Sequence, residues 1–186
     1  MKMSWRSDLE TGLIGGPEKR EIKIERYNPR WPEIYEVHKE KVSKAFSGIE
    51  HRTEHIGSTS VNGLAAKPIV DMLVVISDPG NEKLYREAME NQGYQLRVRE
   101  PDFDEHRMFR TFEQDVHIHV FPEGSKEVER YLLFRDHLRR HADVRSGYEA
   151  LKRKQSEKNW SDMNAYAEAK TEFIETIICE AKRGVQ

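Results

Sequence analysis

With one cysteine, Cys179, the chain can form neither an internal disulfide nor a cysteine-rich zinc cage, and this suits a reducing compartment. No segment approaches the ~20 consecutive apolar residues that a membrane helix needs. The opening residues, MKMSWRSDLE, lack the apolar core of a secretory signal. Both absences lead to the expectation of a soluble, cytoplasmic protein. Charge of one sign is lacking too, because 31 Lys and Arg against 33 Asp and Glu leave a net charge of only -2. That balance gives no general attraction to nucleic acid or to an anionic membrane, so any anion site has to be local. Apolar residues are sparse at 37% and charged ones abundant at 34%, which implies a modest core beneath heavily charged helix surfaces. No internal repeat or low-complexity tract divides the 186 residues, a length that suits one domain.

What is present centres on residues 54–75, EHIGSTSVNGLAAKPIVDMLVV. A strand-like lead breaks at Gly57 into the hydroxyl-rich turn Ser58, Thr59, Ser60. The chain then crosses Lys67-Pro68 into an apolar run interrupted by one charge, Asp71. Gly57 and the residues after it can bring backbone N–H groups up to an anion. The same residues can equally form a turn capped by its own hydroxyls. A carboxylate inside a run that is apolar on both faces needs a counterion, a metal or a hydrogen-bond network. The period of two in a strand puts Asp71 with Ile69, Leu73 and Val75 on one face.

Taken in order, residues 1–20 contain GLIGGPEKR and read as a flexible tail ahead of a domain over 21–186. Residues 21–25 (EIKIE) alternate as a strand, and a helix is expected over 32–46. Strands at 51–56 and 69–76 flank the central turn. A helix at 82–92 and a strand at 94–98 precede a hairpin of 107–113 with 116–121. Ser125 is a credible N-cap for a helix to 141, and two more helices are expected at 144–158 and 162–182. The order implies an α+β fold with a small mixed sheet, flanking helices and a C-terminal helical part.

His117 and His119 lie two apart on one strand and so share a face. With Asp71 from a neighbouring strand they could make a 2-His-1-carboxylate metal set, against the plainer reading of a polar, partly solvated sheet face. Arg135 and Arg139 stand one helical turn apart and could clamp a phosphate or carboxylate. The plainer reading is a solvated helix face paired with Glu127, Glu129 and Asp136.

HIGSTSVNGLAAKPIVDMLV resembles the GrpB family, together with YNPRWPEIY before it and HIHVFPEGS, LLFRDHLRRH and YAEAKTEFIETII after it. The resemblance covers about residues 22–182. It implies the nucleotidyltransferase fold shared with DNA polymerase beta, and similar domains occur fused to dephospho-CoA kinase. That superfamily's motif is a hydrophobic residue, Gly, then Gly or Ser, followed by two acids one residue apart and a third on a later strand. Carried over, Ile56, Gly57 and Ser58 take the first part and Asp71 the first acid. Leu73 falls at the second acid and His117 or His119 at the third, so one carboxylate of three is kept. Two-metal phosphoryl chemistry relies on carboxylates to hold two Mg²⁺.

Three readings follow from the resemblance. In a divergent nucleotidyltransferase, Gly57, Ser58, Thr59 and Ser60 would cradle the phosphates. Asp71, His117 and His119 would hold one divalent metal, Mg or Mn or a transition metal. Lys67, Arg135 or Arg139 would stabilise transition-state charge. A non-catalytic module would bind a nucleotide or CoA precursor through the same turn. A metal-dependent hydrolase at His117, His119 and Asp71 is the least favoured. In each the partner is a nucleotide or another phosphate-bearing small molecule, with no membrane and no general nucleic-acid binding expected.

Overall fold

Five strands form one mixed sheet in the order β1-β2-β5-β4-β3. The computed structural model describes residues 12–16, 18, 21–158 and 163–184. The strands are β1 (Arg52–Ile56), β2 (Val70–Ile76), β3 (Tyr94–Glu100), β4 (His106–Thr111) and β5 (Val116–Pro122). The helices are α1 (Arg30–Ala45), α2 (Arg86–Asn91), α3 (Lys126–Arg140), α4 (Ala142–Ser156), α5 (Met163–Glu168) and α6 (Thr171–Arg183). β2 pairs antiparallel with β1 and parallel with β5, while β4 runs antiparallel to both β5 and β3.

The almost unbroken apolar run of β2 follows from its place inside the sheet, where both faces are covered. Val70, Met72, Val74 and Ile76 pack with Trp31, Tyr35, Val42 and Phe46 of the α1 region and with Tyr85 and Met89. Leu73 and Val75 face the other way, against Ile56, Phe121 and Val128. Beyond that face a second core forms among Val61, Leu64, Phe134, Leu138, Tyr148, Ile174, Ile177 and Ile178, joining α3, α4 and α6 to the loop before β2. The expected cap is present: Ser125 Oγ accepts from Glu127 N at 3.2 Å and donates to Asp104 at 2.6 Å. No helix among the described residues is long and apolar enough to cross a membrane.

Three local expectations are revised. Residues 21–25 alternate but have no strand beside them. Glu25 alone pairs, exchanging backbone bonds of 2.9 Å with Ala66, so a lone bridge replaces the strand. The helix expected over 162–182 is two helices within its described part, with a turn at Ala169 and Lys170. The halves serve different surfaces: Tyr166 of α5 meets the ammoniums of Lys67 and Lys170, whereas Ile174, Ile177 and Ile178 of α6 pack in the second core. In the stretch read as a tail, Ile14 N donates to Arg97 O at 2.8 Å and Arg99 N to Gly12 O at 2.9 Å, which lays this piece along β3. Residues 1–11, 17, 19 and 20 lie outside the described residues.

Candidate functional site

The site is built on one row of the sheet. Ile56 pairs with Asp71, Asp71 with His117, and His117 with Arg110. Gly57 follows Ile56 at φ 71° and ψ -178°, a conformation open essentially to glycine alone. A Cβ there would also sit 2.6 Å from Asp71 Oδ2. Backbone and neighbour both require the missing side chain.

The hydroxyls after Gly57 divide between two duties. Ser60 Oγ donates to Gly57 O at 2.6 Å, and Thr59 Oγ1 lies 3.1 Å from His55 Nε2. Those two hold the turn itself. Ser58 is a side-chain partner of Tyr148 and lines the cavity with Gly57 and Thr59.

Asp71 Oδ1 stands 3.7 Å from His117 Nδ1 and 3.9 Å from His119 Nε2. Burial pushes its carboxyl upward, but the imidazoles of His119 and His117 and the Lys67 ammonium outweigh that, and the pKa falls below the ordinary value. Burial takes His117 down to about 4 against the pull of Asp71, so its ring is neutral at physiological pH. His117 Nε2 is buried with no hydrogen-bond partner among the described residues.

Behind His119 runs a chain that the sequence reading did not include. His119 Nδ1 is 3.1 Å from His106 Nε2, and His106 Nδ1 is 2.7 Å from Glu100 Oε2. Burial holds the His106 pKa well below its ordinary value, so this ring is neutral and carries one proton. The hydrogen bond from His119 that lowers the Asp71 pKa comes from the nitrogen facing it, Nε2, so His119 offers a proton to the carboxylate.

The donor set was tested against the metal that the fold implies. Leu73, fully buried, pairs with His119 where a second carboxylate would be needed. Among the described residues no group of three or more His, Cys, Asp or Glu is placed to hold a metal ion. The two imidazoles flank Asp71 Oδ1, His117 through Nδ1 and His119 through Nε2. With Asp71 as the one carboxylate beside His117 and His119, these residues do not fit a two-metal centre.

A cavity of about 260 Å³ opens beside this row. Lys67, Arg97, Arg110, Lys152 and Lys170 line it, against the acids Asp71 and Glu18. Tyr131, Phe134, Tyr148 and Tyr166 supply aromatic wall. Lys67 Nζ lies 5.1 Å and Lys170 Nζ 4.2 Å from the centre of the Tyr166 ring. Lys152 is 3% exposed, donates to Ala65 O, and has its pKa pulled down to about 7 by burial.

Arg135 and Arg139 are not among the residues lining the cavity. Arg135 ties α3 to β1 through Glu54 at 2.8 Å and His55 O at 3.0 Å, and Arg139 donates to Ser60 O at 2.8 Å. Their expected charge-stabilising role gives way to bracing the turn. The sequence did carry a signal for His106 and Arg110, which alternate with Met108 and face His117 and His119 once the hairpin register is known. Nothing in LKRKQ marks Lys152 apart from its neighbours.

A mixed sheet in this order, with a glycine turn leading from one strand to an aspartate on the next, defines a nucleotidyltransferase-like α+β protein. The family description "GrpB protein" matches residues 21–180, and the chain belongs to the GrpB family. It is 49% identical over 173 residues to a UPF0157 protein of Streptomyces coelicolor, covering 92% of this chain and 91% of that one. The crystal structure of conserved protein GrpB from Enterococcus faecalis superposes with a TM-score of 0.79 at 29% identity, over 88% of this chain and 100% of that one. The GLD-2/RNP-8 complex is similar at a TM-score of 0.55 and 12% identity, over 82% of this chain and 59% of that one, and shares the fold alone.

Proposed function

We propose that the protein binds a nucleotide, or a related phosphate-bearing small molecule such as a CoA precursor, in the cavity beside Gly57 and Asp71. The observation that carries this reading is the lining, where lysines and arginines outnumber acids around a glycine that lets the backbone approach closely. Lys67, Lys152 and Lys170 offer charge to phosphate, and the aromatic wall with Tyr148 and Tyr166 keeps these ammoniums grouped beside the cavity. Leu73 at the second acid position favours a binding module over a two-metal transferase.

A second reading has one specific observation behind it. The chain Glu100–His106–His119 ends on Asp71 beside the cavity, and this carboxylate could accept a proton from a ligand hydroxyl or a water. In that reading the protein transfers or hydrolyses a phosphate ester by acid–base chemistry.

A thermal-shift panel of nucleotides and CoA precursors tests the binding. At least one compound should raise the melting temperature, and Gly57→Val should remove the shift. Absence of any shift in the unmutated protein sinks the proposal. Turnover of the stabilising compound, lost in His119→Gln, would favour the second reading over the first.

A further inference from the structure

Arg97 on β3 and Arg110 on β4 are 5% and 8% exposed, and both line the cavity. Buried guanidiniums have to be paired, and their planar fork matches a carboxylate or a phosphate. The partner here comes from the N-terminal segment. Both carboxylate oxygens of Glu18 accept from Arg110, at 2.8 Å each, and Arg97 Nη2 lies 3.8 Å from one of them. Arg97 also donates to the carbonyls of Ile14 and Gly16. Arg110 Nε remains buried with no hydrogen-bond partner among the described residues.

Arg110 lies on the same row as Asp71, with His117 between them. At ~4.8 Å per strand, their backbones are roughly 10 Å apart. One ligand with separated anionic groups can therefore reach from the Gly57 turn and Lys67 to the arginine pair.

We propose that Arg97 and Arg110 form a second anion subsite for the far phosphate of a polyphosphate-bearing ligand, and that Glu18 fills this subsite in the free protein as a stand-in for that phosphate. The inference rests on the reading of the cavity as a phosphate-compound site and adds the class of ligand. Binding exchanges one anion for another on the same guanidiniums and draws Glu18 out of the cavity. Among the described residues, the segment meets β3 through backbone bonds of Ile14 with Arg97 and of Arg99 with Gly12 and through the Arg97 guanidinium on the Ile14 and Gly16 carbonyls.

The test is a calorimetric titration with inorganic tripolyphosphate. Glu18→Gln should bind it about tenfold tighter than the unmutated protein, since a charge-assisted bond no longer competes. Arg110→Gln should lose most of that affinity and Arg110→Lys only part, with melting curves showing that both variants fold. Bound tripolyphosphate should also speed hydrogen exchange at the Ile14 and Arg99 amides. If Glu18→Gln binds no tighter, or neither protein binds tripolyphosphate, the subsite proposal is wrong. Nucleotide binding that is indifferent to Glu18→Gln would leave the broader reading standing without this one. A gain for tripolyphosphate with no nucleotide bound would do the reverse.

Discussion

At Gly57 the fold and the site make the same demand. Any Cβ meets the Asp71 carboxylate at 2.6 Å, on a backbone that non-glycine residues avoid. Gly57→Ala should destabilise by about 1–3 kcal/mol from the backbone alone, read by chemical denaturation, and should weaken ligand binding by moving Asp71. His106 makes a separate demand on tautomers. Nitrogen-detected NMR of the imidazoles should find His119 protonated at Nε2, toward Asp71, and His106→Phe should shift its tautomer population; an Nε2 without a proton in the unmutated protein would refute the assignment. Lys152 supplies a pH signature. Its folded pKa of about 7 lies below the unfolded 10.5, so between those values the unfolded chain binds more protons and this group's contribution to stability grows as pH rises. An anion in the cavity restores the ammonium, so binding at pH 8 should take up protons, measured by calorimetry in buffers of different ionisation heat. Lys152→Met should abolish that uptake. Asp71, His117 and His119 were legible in the sequence because a charge inside an apolar run and two histidines at period two stand out. Lys152 was not, since a buried lysine in a polar helix looks like an exposed one until the helix is placed.

Among the elements, ion pairs hold the sheet edge and the turn. Glu82 accepts from Arg99 through both oxygens at 2.6 Å and also from Arg107, pinning the turn before α2 to β3 and β4. The hydrogen bonds from Arg99 and then Arg107 draw its pKa to about 2, from 4.5. A depressed carboxyl contributes stability above its unfolded value that is lost as pH falls toward the folded one. The melting temperature should therefore drop between pH 4.5 and 2 less steeply in Glu82→Gln than in the unmutated protein. Arg135→Ala should cost about 1–3 kcal/mol by releasing Glu54, Asp136 and the His55 carbonyl. Because Arg135 touches the strand before the turn and not the cavity, the change should weaken ligand binding far less than Gly57→Val does. The mixed sheet, the hairpin and the α3 cap could be read from periodicity and from Ser125. The lone bridge at Glu25 and the turn at Lys170 could not, because alternation does not report whether a neighbouring strand exists, nor helical period whether two halves share one target.

For the whole molecule, the cavity is where the sheet row, the C-terminal helices and the N-terminal segment meet. Its lining comes from Leu13 at one end of the described chain to Ile174 near the other. Such a site is invisible to local pattern, which found the Gly57 turn, Asp71 and Lys67 yet assigned the remaining charge to Arg135 and Arg139 and not to Arg97, Arg110 and Lys152. In this chain the glycine turn and Asp71 thus stand beside a cavity lined by more cations than acids, with Leu73 buried on the strand that carries Asp71. The most direct test of the central claim is calorimetric titration of a nucleoside triphosphate panel into the unmutated protein and into Gly57→Val and Lys67→Ala. Saturable binding of one ligand per chain, weakened in both variants, is the predicted result; binding by no nucleotide, or undiminished binding to Gly57→Val, would contradict it.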